Sequence, residues 1–202
     1  MSINVCNDRS MASITSLPSG VSGSSLVLIS TVTASNDATI DFTSGIDSTY
    51  SEYIFKIINC HPATDTQKFQ VNFRDGGSNF DATKTTTTFY AVHDENATGA
   101  SLAYDTGSDV AQGTGDAVIA AVTGNANDEC CSGYLHLFNP SSTTFVKHFI
   151  ATTMNNRGDS DGTTYNWYGA GYANVTAAID GVRFNFASGN IDSGTIKMYG
   201  VV

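Results

Sequence analysis

From Ser24 onward the chain is a succession of short segments in which apolar and polar residues alternate, separated by clusters of Gly, Asp, Asn and Ser. Lys68-Phe69-Gln70-Val71-Asn72-Phe73-Arg74 is the clearest, with Phe69, Val71 and Phe73 on one side and a break at Asp75-Gly76-Gly77. A period of two sends successive side chains to opposite faces of a strand, so such a segment has one face to bury and one to show to solvent. Leu26 to Thr33, Thr39 to Phe42, Thr85 to Val92 and Val182 to Phe186 read as strands on the same grounds. Tyr53 to Asn59 is apolar almost throughout and predicts a central strand, with 68–74 as its half-exposed antiparallel neighbour. Tyr134 to Phe138 and Thr144 to Ile150 flank Asn139-Pro140 and two serines, which predicts a hairpin. The last residues, Thr195 to Val202, form a strand pattern expected to pair directly with 182–186. In that strand Ile196, Met198 and Gly200 share one face, and Lys197 and Tyr199 the other.

The stretch from Ala97 to Asp128 is less regular. Its apolar run, Ala117 to Val122, suits a short helix or a buried strand, and periodicity does not decide between them. No internal repeat is present. About eight short strands with Gly/Asp/Asn turns predict an all-β fold, an antiparallel β-sandwich of jelly-roll type over residues 24–202. Residues 1–23, Ser-rich and interrupted by Pro18, Gly20 and Gly23, read as an extended N-terminal arm. Only three glutamates occur among 202 residues, which argues against long surface helices.

Charge changes the picture mainly by exclusion. Charged residues make up 14% of the chain, against about 25% in a typical globular protein. The net charge is −10, and the nine basic residues are scattered singly, so no footprint for nucleic acid is expected. No apolar run approaches the roughly 20 residues of a membrane span, and the start of the chain lacks the pattern of a signal peptide. Cys6, Cys60, Cys130 and Cys131 show neither C-x-x-C spacing nor histidines at zinc-site spacing. They are expected to be free thiols of a protein made in a reducing cytosol.

Candidate chemistry is sparse. A two-carboxylate hydrolase would draw on Glu52, Glu95 and Asp94, but most of the sixteen aspartates sit beside turn residues. His61, His93, His136 and His148 form no metal pattern; His136 and His148 lie on the expected hairpin and are placed to approach each other, without a third ligand. Arg157-Gly158-Asp159-Ser160-Asp161-Gly162 reads as a polar turn, with a weak calcium site near Asp159 and Asp161 as its functional alternative. Asn96 and Asn174 open glycosylation acceptor triplets, which matter only in a secretory pathway. No metal or cofactor is expected. The one aromatic concentration is Tyr165-Asn166-Trp167-Tyr168-Gly169-Ala170-Gly171-Tyr172. Tyr165, Trp167, Tyr168 and Tyr172 suit three roles: core packing by alternate residues, a subunit contact, or a platform for sugar rings.

Four stretches carry a resemblance: Ser24 to Thr33, Thr39-Ile40-Asp41-Phe42-Thr43-Ser44-Gly45-Ile46-Asp47, Tyr53 through His61-Pro62-Ala63-Thr64-Asp65, and Phe184 through Gly194-Thr195-Ile196-Lys197-Met198-Tyr199-Gly200. Together they resemble virion proteins of marine tailed phages (cyanophage-like) that contain a jelly-roll domain. The resemblance implies a non-enzymatic component of the particle surface, such as a capsid decoration protein, a head fibre or a tail-fibre piece. It brings no catalytic residues and no cofactor. Its implied partners are other virion proteins and sister copies in a closed homo-oligomer, often a trimer; the alternative reading, a carbohydrate-binding receptor-recognition module using the Tyr165 to Tyr172 cluster, adds a host-surface glycan. The implied location is the virion, after synthesis in the bacterial cytoplasm. Residues 1–23 lie outside the resemblance and are expected to anchor the domain.

Overall fold

The structure, a computed structural model, describes residues 25–157 and 162–202. These form twelve strands: β1 (Leu26–Asp37), β2 (Ile40–Phe42), β3 (Glu52–Pro62), β4 (Gln67–Arg74), β5 (Lys84–His93), β6 (Ala100–Tyr104), β7 (Ala117–Thr123), β8 (Cys131–Phe138), β9 (Lys147–Arg157), β10 (Thr163–Ala173), β11 (Gly181–Phe186) and β12 (Ile191–Val201). The only helical element among the described residues is the 3₁₀ turn Thr106–Ser108. Ala117 to Val122 is a strand: it pairs with β4 and is buried on both faces, which removes the alternation that would have identified it.

All neighbouring strands are antiparallel, and they build two sheets, β1-β12-β3-β8-β9-β10-β5-β6 and β2-β11-β4-β7. Without β5, β6, β9 and β10, the strands left over form two four-stranded sheets, β1-β12-β3-β8 and β2-β11-β4-β7. Those eight strands trace a jelly roll, the chain crossing between sheets at each step except from β4 to its neighbour β7. The sandwich expected from the strand pattern is therefore present. Added to it are two insertions, β5-β6 and β9-β10, which lengthen the larger sheet beyond β8 into an annex ordered β9-β10-β5-β6.

The expected β8–β9 hairpin is formed, with Leu135 opposite Ala151. Two other expected pairings are not. β3 and β4 lie in different sheets, β3 between β12 and β8 and β4 between β11 and β7. β11 and β12 are likewise split, β11 beside β2 and β4, β12 between β1 and β3. On β4 the expected alternation holds, with Phe69, Val71 and Phe73 buried and Lys68, Gln70 and Arg74 partly open, Asn72 alone being covered on the outward side. The physical reason is common to both missed pairings. Alternation says that one face of a strand is buried, and in a sandwich both sheets offer an inner face, so the pattern is equally satisfied by pairing and by crossing over. The two crossovers support one another: Ala63 donates to the Asn190 carbonyl at 2.9 Å, and Ala187 to the Lys68 carbonyl at 2.9 Å.

The faces of β12 fall as the alternation requires, with Ile196, Met198 and Gly200 buried and Lys197 and Tyr199 partly open. Gly194 interrupts its pairing at φ 130°, and a Cβ there would stand 2.6 Å from the Cys60 Cα, so only glycine fits this irregular register. The core lies between the inner faces and is aromatic at its centre. Phe184 of β11 meets Phe55 at 5.5 Å, Phe69 at 6.0 Å and Phe42 at 6.2 Å between ring centroids, joining the two sheets.

Candidate functional site

The annex carries the aromatic segment, and strand geometry divides it. β10 is inserted between β9 and β5, with Trp167 opposite Thr153 and Tyr90, and Tyr168 opposite Thr152 and Phe89. Trp167 points inward and is 1% exposed, its indole N–H donating to the Val118 carbonyl at 3.3 Å. Tyr90 stacks on it at 5.7 Å, and Tyr165 closes against Tyr90 at 5.5 Å; with Val118 and Ala121 they form a small second core between the annex and β7. Trp167, expected as a candidate contact residue, is thereby withdrawn from any ligand by packing. Tyr165 is committed to the same cluster. Tyr168 and Tyr172 belong to the opposite, outer face.

That outer face is apolar over a wide area. Tyr168 stacks on Phe89 at 4.8 Å with planes 9° apart, and Tyr104 on β6 stands opposite Phe89. On the other side of β10, Ala170 faces Ile150 and Asn166 faces Met154. Phe89 is 44% exposed, Ile150 48% and Met154 48%, values that leave half of three large side chains in water. A shallow apolar depression of about 140 Å³ lies between Thr87, Phe89, Ile150, Tyr168 and Ala170. Its polar fringe is fixed internally: Asn166 donates to the Tyr168 hydroxyl at 2.9 Å, and the Tyr104 hydroxyl donates to Asp109.

Charge is distributed unevenly around this face. The sequence holds nineteen carboxylates, yet β8, β9, β10, β5 and β6, five adjacent strands, contain none. The acids lie on loops, on the smaller sheet and on β1, β3 and β12. A chain of net charge −10 thus presents one broad aromatic surface whose strands carry no acid. Such a patch, rimmed by polar residues, is the usual mark of a protein contact.

The other candidates are dispersed. Glu52 on β3 bonds His136 on β8, whose ring also packs on Tyr134 at 5.2 Å and Phe138 at 6.1 Å. His136 therefore does not meet His148, which packs on Tyr172 at 6.1 Å, because the register sets Ile150 opposite His136. Asp94 follows β5, four strand spacings or about 19 Å across the sheet from β3, beyond the separation of a paired-carboxylate site. Its carboxylate is occupied by Thr98, accepting from the hydroxyl at 2.8 Å and the backbone N–H at 2.7 Å, and these bonds hold its pKa below the usual value. Glu95 lies against Gly162. Among the described residues no group of three or more His, Cys, Asp or Glu is placed to hold a metal ion. Asp159 and Asp161, the calcium candidates, and the arm 1–23 lie outside the described residues. No helix of the described residues is long and apolar enough to cross a membrane. Cys60, Cys130 and Cys131 are free thiols.

Sequence reasoning singled out Tyr168 and Tyr172 but missed Phe89, Tyr104, Ile150 and Met154, which complete the face. One signal was available: the acids vanish from residues 130–157 and 163–173. Comparison with protein-family models, with curated proteins and with solved structures finds no match to this chain.

Proposed function

We propose that the chain is a non-catalytic structural protein of a phage particle, displayed on its surface as a jelly-roll domain and anchored through residues 1–23. The annex face is where it meets a second copy of itself in a closed homo-oligomer, a trimer being the expected form. One observation carries the reading: the outer side of β8, β9, β10, β5 and β6 is a broad aromatic face whose five strands contribute no carboxylate of their own, with Glu52 and Asp109 only at its two edges. Two chains of charge −10 repel, and they approach at lowest electrostatic cost where neither shows an acid. Exposed Phe and Met with flanking Tyr also match the composition of interface cores.

Replacing Ile150 with aspartate places a charge in the middle of that face, half-exposed and away from the core. Light scattering coupled to gel filtration should show the wild type as an oligomer and I150D as a monomer with an unchanged far-UV spectrum. A wild type that is monomeric at tens of micromolar removes the self-association reading. The particle reading is tested separately with a chain of residues 24–202: it should fold and yet be missing from purified particles. Incorporation at the wild-type level would reject the anchoring role of residues 1–23.

A second reading, a sugar platform, rests on the stacked pair of Phe89 and Tyr168, whose open edges lie beside the Thr87 and Asn166 side chains. Titration of the wild type with host polysaccharide separates the two readings. Binding that is lost on replacing Phe89 with alanine supports the platform, and no binding leaves the face to a protein contact.

A further inference from the structure

The sandwich buries two lysines completely, Lys84 at the start of β5 and Lys147 at the start of β9. Both stand opposite Ala173 on β10. Lys147 donates to the carbonyls of Val175, at 3.0 Å, and Ala177. Lys84 has different company. Its Nζ donates to the Gly115 carbonyl at 2.8 Å and to the Thr114 carbonyl at 3.3 Å. Asn72 of β4, 3% exposed, sends its Nδ2 to that same Thr114 carbonyl at 3.1 Å and to Asp116 Oδ1 at 2.7 Å. One oxygen atom is therefore shared by a buried amine and a buried side-chain amide, and a carboxylate sits on the nitrogen of that amide.

As an ammonium, Lys84 is costly. It has no exposed surface, and its acceptors are two neutral carbonyl dipoles rather than a carboxylate. Burial brings its pKa down to about 8, with Asp116, Asp81 and Asp75 holding it from falling further. At pH 7 about a tenth of the amine is then neutral and carries a nucleophilic lone pair. The amide is held firmly by contrast, since Asn72 Oδ1 also accepts from the Phe73 backbone N–H at 2.9 Å. Asp116 is itself positioned by a second amide, Asn185 Nδ2, at 3.1 Å from its other oxygen.

We propose that Lys84 and Asn72 become joined by an isopeptide bond, with Asp116 as the proton relay. The lysine chain swings from the Thr114 carbonyl, the oxygen it shares with Asn72 Nδ2, onto the amide, and the Nζ lone pair attacks Asn72 Cγ. Asp116 takes a proton from the attacking nitrogen and delivers it to Nδ2, the atom that it already contacts. The Cγ–Nδ2 bond breaks with its electron pair going to nitrogen, ammonia leaves, and a neutral Nζ–Cγ amide remains. Nothing is oxidised or reduced, and no co-reactant is needed. The product carries no buried charge, and it ties β4 of the smaller sheet to β5 of the larger one. Lys147, with no side-chain amide among its acceptors, stays a free amine and provides an internal comparison.

Mass spectrometry of the denatured full chain tests this. The intact mass should fall short of the sequence mass by one ammonia. Trypsin should fail to cut after Lys84 and should yield peptide 69–74 joined to 75–147. D116A should restore the missing ammonia and release peptide 69–74, with its far-UV spectrum unchanged. If D116A does not fold, the wild-type peptide map decides alone. A full mass with free peptide 69–74 overturns the proposal, and so does an ammonia deficit that maps to any other asparagine.

Discussion

Replacing Phe184 with alanine is expected to lower the thermal midpoint by about 10 °C. Phe184 has no exposed surface and touches Phe42, Phe55 and Phe69, so it is the ring through which both sheets pack. Truncating a buried phenylalanine costs about 3–5 kcal/mol, because the lost transfer energy adds to that of a cavity that three rigid neighbours cannot fill. In a domain of this size each kcal/mol moves the midpoint by about 2–4 °C. Calorimetry of F184A beside F184L separates the causes. The leucine variant should recover more than half of the loss, and a midpoint within 2 °C of wild type for F184A would show that the sheets do not depend on this contact.

The second large effect concerns pH. Cys60 of β3 and Cys131 of β8 are directly opposite one another with no exposed surface. Burial pushes the Cys60 thiol up to about 12 and the Cys131 thiol well above the ordinary 9.0. The unfolded chain releases these protons near pH 9, whereas the folded chain keeps them. Their contribution is therefore complete below pH 9 and lost as pH climbs toward 12. For Cys60 alone, a three-unit gap corresponds to about 4 kcal/mol over that interval. Urea unfolding at pH 8 and pH 11 covers about two units of that gap, so the loss should be steep in the wild type and smaller by about 3 kcal/mol in C60A. Tyr53, whose pKa burial also raises, adds to the alkaline loss in both proteins and cancels in the comparison. Equal losses in wild type and C60A would mean that Cys60 titrates normally in the fold.

The inserted strands give the molecule its particular character. The eight-stranded jelly roll is complete without β5, β6, β9 and β10, and it places its own apolar residues between its two sheets. The annex has a partner on one side only. Its inner face finds β7, through Trp167, Val118 and Ala121, while its outer face keeps Phe89, Ile150 and Met154 in solvent. Burying those residues needs another molecule, which is why the proposed contact is drawn there.

A continuous apolar run marked the strand at Tyr53, and alternation in the sequence was enough to mark those at Leu26, Lys68, Thr85, Tyr134, Val182 and Thr195, since a period of two has one physical cause. It also fixed which residues of β12 face the core, and turn chemistry at Asn139-Pro140 fixed the β8–β9 hairpin. Alternation did not reach Ala117 to Val122, because a strand buried on both faces has no polar side to reveal it. It also left undecided which strand lies beside which. Phe184 and Met198 are equally apolar, but one belongs to the smaller sheet and the other to the larger, a choice settled by how crossovers of a few residues span the sandwich. The candidate face shows the same division. Tyr168 was legible as a member of an aromatic cluster, whereas Phe89, Ile150 and Tyr168 lie far apart in the chain and become one surface only when β10 is seated between β9 and β5. Period and turn chemistry are local and can be read along the chain. Register and sheet membership join residues distant in sequence, so only the tertiary structure determines them.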